Sequence, residues 1–206
     1  MTTLASQSIS PFLHELGAKS PTPGGGAAAS CTGAIAVSLA RMVVSYSLGK
    51  KTLAEHQADL EKAAGALDRA SGLFLELAEE DALSYAAVNE LQKLPETDER
   101  RTREWPAAVE AAVQAPLAVA AAAADLLRLL ESLVEKTNKH LRSDLAIAAV
   151  LAEAAVSGGC WNVRVNVPLL ANPSRQGEVE ADVRRMLQDA TARRATIERG
   201  CGLAAG

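Results

Sequence analysis

The chain contains 206 residues, of which 49% are hydrophobic but only 3% aromatic. This length is enough to bury one sizeable core, so we expect a single domain over residues 1–206. The apolar content is mostly Ala, Leu and Val, which favours helices over sheets. The formal net charge of −4 provides no basic field for phosphates, which argues against a nucleic-acid partner.

Cysteine and histidine positions do not indicate a metal site. The three cysteines form no C-x-x-C pair and the three histidines are scattered, so zinc-like spacing is absent from the sequence. The first residues, MTTLASQSISP, lack the basic and apolar regions of a signal peptide. The alanine run at 111–124 is shorter than the ~20 apolar residues of a spanning helix. We therefore expect a soluble cytoplasmic protein with reduced thiols and no membrane partner.

The first half of the chain predicts three helices. Ser10 followed by Pro11 is typical of a helix start, and this short helix should end at Gly17. A second helix is predicted over 27–48, with Gly49 as its stop. The third and most regular should run over 53–91 and be closed by Pro95.

The second half predicts three more helices. One begins near Thr97 and carries Pro106 and Pro116, where we expect kinks or breaks. The next runs from about Ser143 toward Pro168. Its WNVRVNV stretch, 161–167, alternates as a strand would, but no partner strand is visible and the helical interpretation is kept. The last covers 178–198. The predicted fold is all-α, a single bundle of about six helices with one long helix.

A carboxylate interrupts the apolar stripe of the long helix. Leucine or phenylalanine recurs every seven residues at 53, 60, 67 and 74, and the same row then reaches Asp81 and Val88. Burying an unpaired charge is costly, so Asp81 needs a cationic or hydrogen-bonding partner. Tyr85 lies one turn further on the same face. On this feature alone a structural ion pair, a stripe that has drifted to the surface and a functional carboxylate all stay open.

A second polar row lies on the fifth predicted helix. Asp144 and Asn162 are eighteen residues apart and share one face, with Asn166 about 40° away. Eighteen residues span about 27 Å, too far for both side chains to touch one reacting carbon. Either they hold different ends of a long ligand, or a symmetry-related chain brings one near the other. A plain polar contact between helices also explains the two asparagines.

The PGGG sequence at 23–26 leads directly into a predicted helix. Free backbone N–H groups at a helix start form a natural anion site, but taken alone the glycines favour a helix entrance with close packing. The stretch is not a phosphate-binding Walker loop, because no Lys-Ser/Thr pair follows it. Lys50 and Lys51, just past this helix, could serve acidic ligand groups or simply be solvated.

Taken together, four segments resemble the family that includes formiminotetrahydrofolate cyclodeaminase and bacterial methenyltetrahydrofolate cyclohydrolase. They are PTPGGGAAA, ARMVVSYSLGKK, EEDALSYAAV and the block 137–166 with its SD…N-x-x-x-N pattern, and they cover most of the chain. Three positions depart from the family pattern: Thr137, His140 and Ala27. The family has G-N-x-N before SD where this chain reads Thr-Asn-Lys-His, and Ala27 stands where serine is common.

The resemblance implies an all-helical homodimer or higher oligomer that acts on a folate one-carbon unit with no metal and no redox cofactor. Two related reactions are known in the family. The cyclohydrolase adds water to the amidinium carbon of 5,10-methenyltetrahydrofolate and yields 10-formyltetrahydrofolate. In the cyclodeaminase, N10 attacks the formimino carbon and ammonia leaves. Both pass through a tetrahedral carbon and need proton transfers.

Roles for individual residues follow from the resemblance as hypotheses. Asp81 would move protons or steady the cation, Lys50 or Lys51 would serve acid–base work or the glutamate tail, and Asp144 would pair with the pterin. The remaining substrate contacts would come from Pro23, Gly24, Gly25, Gly26, Tyr85, Asn138, Ser143, Asn162 and Asn166. The cyclohydrolase is favoured because no formiminotransferase domain accompanies the chain. The alternatives are the cyclodeaminase, a non-catalytic dimerisation module and a folate-binding protein without turnover.

Overall fold

A computed structural model describes residues 8–202, and within that range every regular element is a helix. Short 3-10 turns lie at Lys51–His56, Lys139–Leu141 and Val167–Leu169. The six α-helices are α1 Ile9–Leu16, α2 Gly25–Ser45, α3 Gln57–Gln92, α4 Glu99–Leu133, α5 Arg142–Asn166 and α6 Pro173–Gly200. The predicted all-α bundle of about six helices is confirmed, and the 161–166 stretch is helical as expected. Two helices are long rather than one, because α4 with 35 residues is almost as long as α3 with 36.

The bundle is a ring of four helices with a fifth on its outside. Each of α2, α3, α4 and α5 packs on the next, and α5 closes the ring against α2. Helix α6 lies on α4 and α5. The predicted stripe of α3 is buried at Leu60, Leu67, Phe74 and Val88, so the heptad row does face the core. Asp81 interrupts a buried row.

Several helix bounds differ from the expected ones because of capping. Helix α2 begins at Gly25, two residues early, since the extended conformation ends at Gly24. Helix α6 begins five residues early, because the Asn172 side chain accepts hydrogen bonds from the next turn and Pro173 stands at the first helical position. Helix α3 begins four residues late, behind a 3-10 turn.

The two prolines of α4 do not break the helix, contrary to the stronger form of our expectation. The helix runs without interruption from Glu99 to Leu133 with Pro106 and Pro116 inside it. Because proline has no N–H, Pro116 cannot donate to the carbonyl four residues earlier, that of Ala112. Asn166 at the end of α5 replaces the missing donor: its Nδ2 lies 2.7 Å from the Ala112 oxygen. The buried carbonyl is thus satisfied from a neighbouring helix.

Glycines let the helices approach closely at three points in the bundle. A Cβ built on Gly33 would lie 2.4 Å from the Phe74 ring, so α2 and α3 meet there. One on Gly158 would lie 2.9 Å from the Cβ of Ala29, and one on Gly159 would lie 2.8 Å from the Pro116 oxygen. These contacts fix α5 against both α2 and α4.

Three helical stretches are long and apolar enough, by length and composition only, to cross a membrane: Gly25–Ser45, Glu99–Leu133 and Lys139–Leu169. In this fold, half of the most apolar window of each is buried inside the bundle. Much of their hydrophobicity is therefore used to build the core, and our expectation of a soluble protein remains a prediction.

Asn166 of α5 supplies the hydrogen-bond donor that Pro116 lacks in α4. The effects of substitutions at these two positions on stability should therefore depend on each other. Asn166→Ala should lower the free energy of unfolding by about 1–3 kcal/mol, because it leaves a buried carbonyl without a donor. In a Pro116→Ala background the helical N–H returns, and the same substitution should cost about 1 kcal/mol less. Urea unfolding of the four proteins in this double-mutant cycle measures the difference. Strictly additive effects would contradict the exchange.

Candidate active site

An open cavity of about 710 Å³ lies where α2 begins and α5 ends, with α3 forming its third wall. Ligand pockets of drug-sized molecules have volumes of roughly 300–1,000 Å³, so the cavity suits a small organic substrate. Eight of the residues singled out from the sequence line it: Pro23, Gly24, Gly25, Gly26, Asp81, Tyr85, Asn162 and Asn166.

The central contact of the cavity joins Gly26 of α2 to Asp81 of α3. A Cβ added to Gly26 would lie 1.7 Å from Oδ2 of Asp81 and 2.4 Å from its Cγ. No side chain larger than hydrogen therefore fits opposite this carboxylate. The glycine is needed for close approach, since Gly26 lies inside the regular helix.

The same contact places Asp81 at the positive end of a helix. The first N–H groups of α2 have no carbonyl partner within the helix, and the helix dipole favours an anion there. From the sequence an anion site was one of two explanations of PGGG, beside close helix packing, and the group that lies against Gly26 is the chain's own Asp81 carboxylate.

Asp81 has no hydrogen-bond or ion-pair partner among residues 8–202, and its side chain is half-buried. Burial raises the pKa of the Asp81 carboxyl above its ordinary value of 3.8. A carboxylate at a cavity wall that lacks a cationic partner attracts positive charge into the cavity.

A second unsatisfied polar group lies on the opposite wall. The Nδ2 atom of Asn162 is buried and has no partner among the described residues. Its side chain lies against Gly25, where an added Cβ would approach Oδ1 to 3.3 Å. An amide donor left unpaired in a buried position costs about 1–3 kcal/mol, which a ligand or a water in the cavity would recover. Asn166, one turn on, is occupied by its bond to Ala112.

The structure does not bring the remaining predicted residues to this cavity. Lys50, Lys51, Asn138, Ser143 and Asp144 lie where α2 ends and α5 begins. Since α2 has 21 residues, its two ends are about 30 Å apart. The predicted site residues therefore form two groups at opposite ends of the bundle. The long separation estimated from the sequence for Asp144 and Asn162 holds between these two groups as a whole.

Asn138 is part of a structural junction at that far end. Its backbone N–H donates to Oγ of Ser47 at 2.9 Å, and Ser47 in turn donates to the Val43 carbonyl at 2.7 Å. The Asn138 side chain accepts from the His140 N–H at 3.3 Å. These bonds tie the connection before α5 to the end of α2. Nearby, the Thr137 hydroxyl is buried without a partner among the described residues.

Several cavity residues were not predicted from the sequence. Leu83 and Val165, each 71% exposed, join the predicted Tyr85, 45% exposed, in giving the cavity mouth an apolar character. Ala112 contributes the carbonyl that Pro116 leaves free, and that position is readable from the sequence by counting four residues back from a helical proline. The cavity is also lined by Glu15, Thr22 and Glu79, and no pattern in the sequence pointed to these three residues.

Gly26→Ala should displace the Asp81 carboxylate from the helix end, because the new methyl group overlaps Oδ2. We expect Gly26→Ala to unfold at a lower temperature than the wild type. Gly72→Ala is the matched control in α3: nothing lies within 4 Å of its added Cβ. The control should be more stable by about 0.5–1 kcal/mol, as alanine is in a helix interior. Thermal unfolding followed by circular dichroism compares them, and an equally stabilised Gly26→Ala would contradict the contact.

The raised pKa of Asp81 predicts a pH-dependent stability. The folded state binds the Asp81 proton more tightly than the unfolded state does, so the free energy of unfolding should fall as pH rises through the interval above 3.8. At pH 7, Asp81→Asn should therefore be more stable than the wild type, and the gap should close in acid below that interval. The control Glu80→Gln, at an exposed neighbour, should change stability by less than about 0.5 kcal/mol. A wild type as stable as Asp81→Asn at every pH would contradict the shift.

Comparisons with known proteins agree with the geometry. The model of the formiminotransferase-cyclodeaminase family matches residues 8–185. A methenyltetrahydrofolate cyclohydrolase of Methylorubrum extorquens is 32% identical over 193 residues, which cover 90% of this chain and 91% of that protein. A formimidoyltransferase-cyclodeaminase of Sus scrofa is 30% identical over 190 residues. The chain matches 35% of that enzyme's length, so it spans about a third of the pig protein.

Comparison with solved structures agrees with the sequence matches. A crystal structure of formiminotetrahydrofolate cyclodeaminase from Thermotoga maritima superposes with a TM-score of 0.87 at 25% sequence identity, over 96% of this chain and 97% of that one. With matches of this extent, and with the PGGG, Asp81 and Asn162 segments meeting in one cavity, the chain belongs to the formiminotransferase-cyclodeaminase family.

Proposed function

We propose that this protein is a methenyltetrahydrofolate cyclohydrolase of cytoplasmic one-carbon metabolism, working as a homo-oligomer without metal or redox cofactor. The observation that carries the proposal is Asp81, a half-buried carboxylate that no cation neutralises within the described residues. The substrate, 5,10-methenyltetrahydrofolate, carries its positive charge on the carbon that reacts. The cavity thus offers an anion where the substrate brings a cation.

The proposed reaction begins with the addition of water to the amidinium carbon. The water oxygen bonds to that carbon, and Asp81 accepts a proton from the water as general base. The neutral tetrahedral adduct then loses its hydroxyl proton as the C=O bond forms and the bond to N5 breaks. N5 takes up one proton, and 10-formyltetrahydrofolate leaves with one net proton released to solvent.

The other cavity groups support binding of such a ligand. Tyr85, Leu83 and Val165 provide an apolar wall for the flat rings, where an aromatic side chain stacks well. The unpaired Nδ2 of Asn162 supplies a donor for a carbonyl or ring nitrogen of the substrate. A donor already desolvated in the free protein gains a full hydrogen bond when the ligand arrives.

The cyclodeaminase is the alternative activity, and specific observations support it as well. The crystal structure that superposes on this chain is a formiminotetrahydrofolate cyclodeaminase, and the similarity to the pig enzyme is nearly as high as that to the cyclohydrolase. A protonated formimino group is also cationic and would suit Asp81 equally well. We place the cyclohydrolase first because its sequence identity to this chain, 32%, is above the 30% of the pig enzyme and the 25% of the Thermotoga maritima cyclodeaminase.

The loss of methenyltetrahydrofolate absorbance tests the proposal. Purified protein should accelerate it above the spontaneous rate, and Asp81→Asn should lower kcat/KM by about 10²–10⁴, the usual contribution of a positioned general base. Glu80→Gln, at the exposed neighbouring position, should leave kcat/KM within twofold. In the wild type, kcat/KM should fall at low pH as Asp81 takes up a proton.

Other results would select other functions. Ammonia release from formiminotetrahydrofolate, without any effect on the methenyl compound, would identify the cyclodeaminase. Tight folate binding with no spectral change over time would indicate a binding protein without turnover. A protein that binds no folate, whose Asp81→Leu variant is more stable and unchanged in its associations, would be a non-catalytic helical module.

A further inference from the structure

The side chain of Ser30 is completely buried, and its hydroxyl has no hydrogen-bond partner among residues 8–202. Two other hydroxyls of α2 are satisfied within the helix: those of Thr32 and Ser38 donate to the carbonyl four residues earlier, at 2.8 and 2.9 Å. An unpaired hydroxyl destabilises a packed interior. Alanine, which α2 carries at 27–29, would fill the same space without that cost. The serine therefore calls for a partner outside its own helix.

Ser30 lies one turn beyond the contact that forms the centre of the cavity. Four residues before it, Gly26 meets Asp81 of α3. Three residues after it, Gly33 meets Phe74 of the same helix. Residues three and four apart share one helix face, so Ser30 also faces α3, between these two contacts.

The Asp81 carboxylate is the acceptor that this face of α3 offers. The buried α3 residues between the two contacts, Leu77 and Ala78, have no polar atom in their side chains. Oδ2 of Asp81 lies 1.7 Å from the position that a Cβ of Gly26 would take. Cβ positions four residues apart on a helix are separated by about 5–6 Å, and helical side chains lean toward the N-terminus, so that of Ser30 leans toward this carboxylate. Its hydroxyl is close enough to donate to the carboxylate, directly once the Cα–Cβ bond rotates or through one bridging water.

Within the described part of the chain, no cation faces Asp81. The other titratable side chains that line the cavity are Glu15 of α1 and Glu79 and Tyr85 of α3, none of which carries a positive charge. Helix α2 has no charged residue before Arg41, near its far end. The residues that α4 and α5 contribute to the cavity are uncharged. Stabilisation of the ionised carboxylate therefore depends on hydrogen-bond donors, and α2 brings one on the side away from the cavity.

We propose that Ser30 is a positioning residue for Asp81, and that its hydroxyl donates a hydrogen bond to the carboxylate when this group is ionised. The bond offsets part of the cost of burying the charge. It also holds one side of the carboxylate from behind, which leaves the other side for the cavity. The consequence for turnover rests on the proposed function, in which Asp81 is the general base. The hydrogen bond itself is independent of the substrate.

The titration of Asp81, followed through the NMR chemical shift of its carboxyl carbon, tests this contact without any substrate. A donor to the ionised form lowers a pKa, so Ser30→Ala should raise the titration midpoint by about one to two pH units. Ser30→Cys, which has a similar shape but is a weak donor, should raise it as well. Ser38→Ala, which removes an exposed hydroxyl further along α2, is the control and should leave the midpoint unchanged. An unchanged midpoint in Ser30→Ala would overturn the proposal.

A stability cycle at a pH above that midpoint separates this role from simple packing. In the Asp81→Ala background the hydroxyl has lost its acceptor, so Ser30→Ala should raise the urea concentration at half-unfolding. With Asp81 present the same substitution removes a donor from a buried charge and should lower it. Stabilisation of equal size in both backgrounds would mean that the hydroxyl is only an unpaired group in the core, and the proposal would be wrong.

The pH profile of turnover connects the contact to the proposed function. In Ser30→Ala, the fall of kcat/KM at low pH should move to higher pH by the same amount as the Asp81 titration midpoint. A moved midpoint with an unmoved kcat/KM profile would support the hydrogen bond and reject Asp81 as the general base. A wild type without turnover would reject the proposed function, while the titration and the stability cycle would still decide the role of Ser30.

Discussion

The contact between the Asp81 carboxylate and the α carbon of Gly26 is the constraint on which the cavity depends. It brings a negative group to the positive end of α2, and the helix dipole offsets part of the desolvation that raises the Asp81 pKa. A full cationic partner would neutralise the carboxylate and remove its attraction for substrate. The arrangement instead keeps an ionisable acid close to a helix end, with its free side toward the cavity. Two of the three consecutive glycines are explained by close approach, Gly26 by the Asp81 carboxylate and Gly25 by the Asn162 side chain.

Close approach of the helices also holds the rest of the bundle together. Aromatic residues are few, and the helices meet through alanine and glycine, so the backbones lie close and α5 is fixed on two sides by Gly158 and Gly159. Close packing of small residues makes many weak dispersion contacts, which stabilise the fold without large side chains. It also leaves the outer faces of α2 and α5 rich in small and apolar residues.

Much of the fold could be predicted from the sequence, because the periodic spacing of apolar residues identifies long helices. The heptad row of α3 correctly indicated both the buried face and the one position where it fails, Asp81. Helix ends were less accurate, since Asn172 and the 3-10 turn at Lys51–His56 act through local hydrogen bonds that periodicity does not reveal. The residue set of the site was divided by the fold: residues 23–26, Asp81, Tyr85, Asn162 and Asn166 meet, whereas Lys50, Lys51, Asn138, Ser143 and Asp144 lie elsewhere.

Pro116 gives α4 a carbonyl without an internal donor, and Asn166 occupies it from α5. Asn166 thus supplies the donor that the α4 backbone lacks, and it lies four residues after Asn162, which lines the same cavity. Sliding of α5 along α4 would first have to break this hydrogen bond. Ala112 and Asn166 both line the cavity, so this hydrogen bond resists a shift of α5 along α4 that would change the width of the opening.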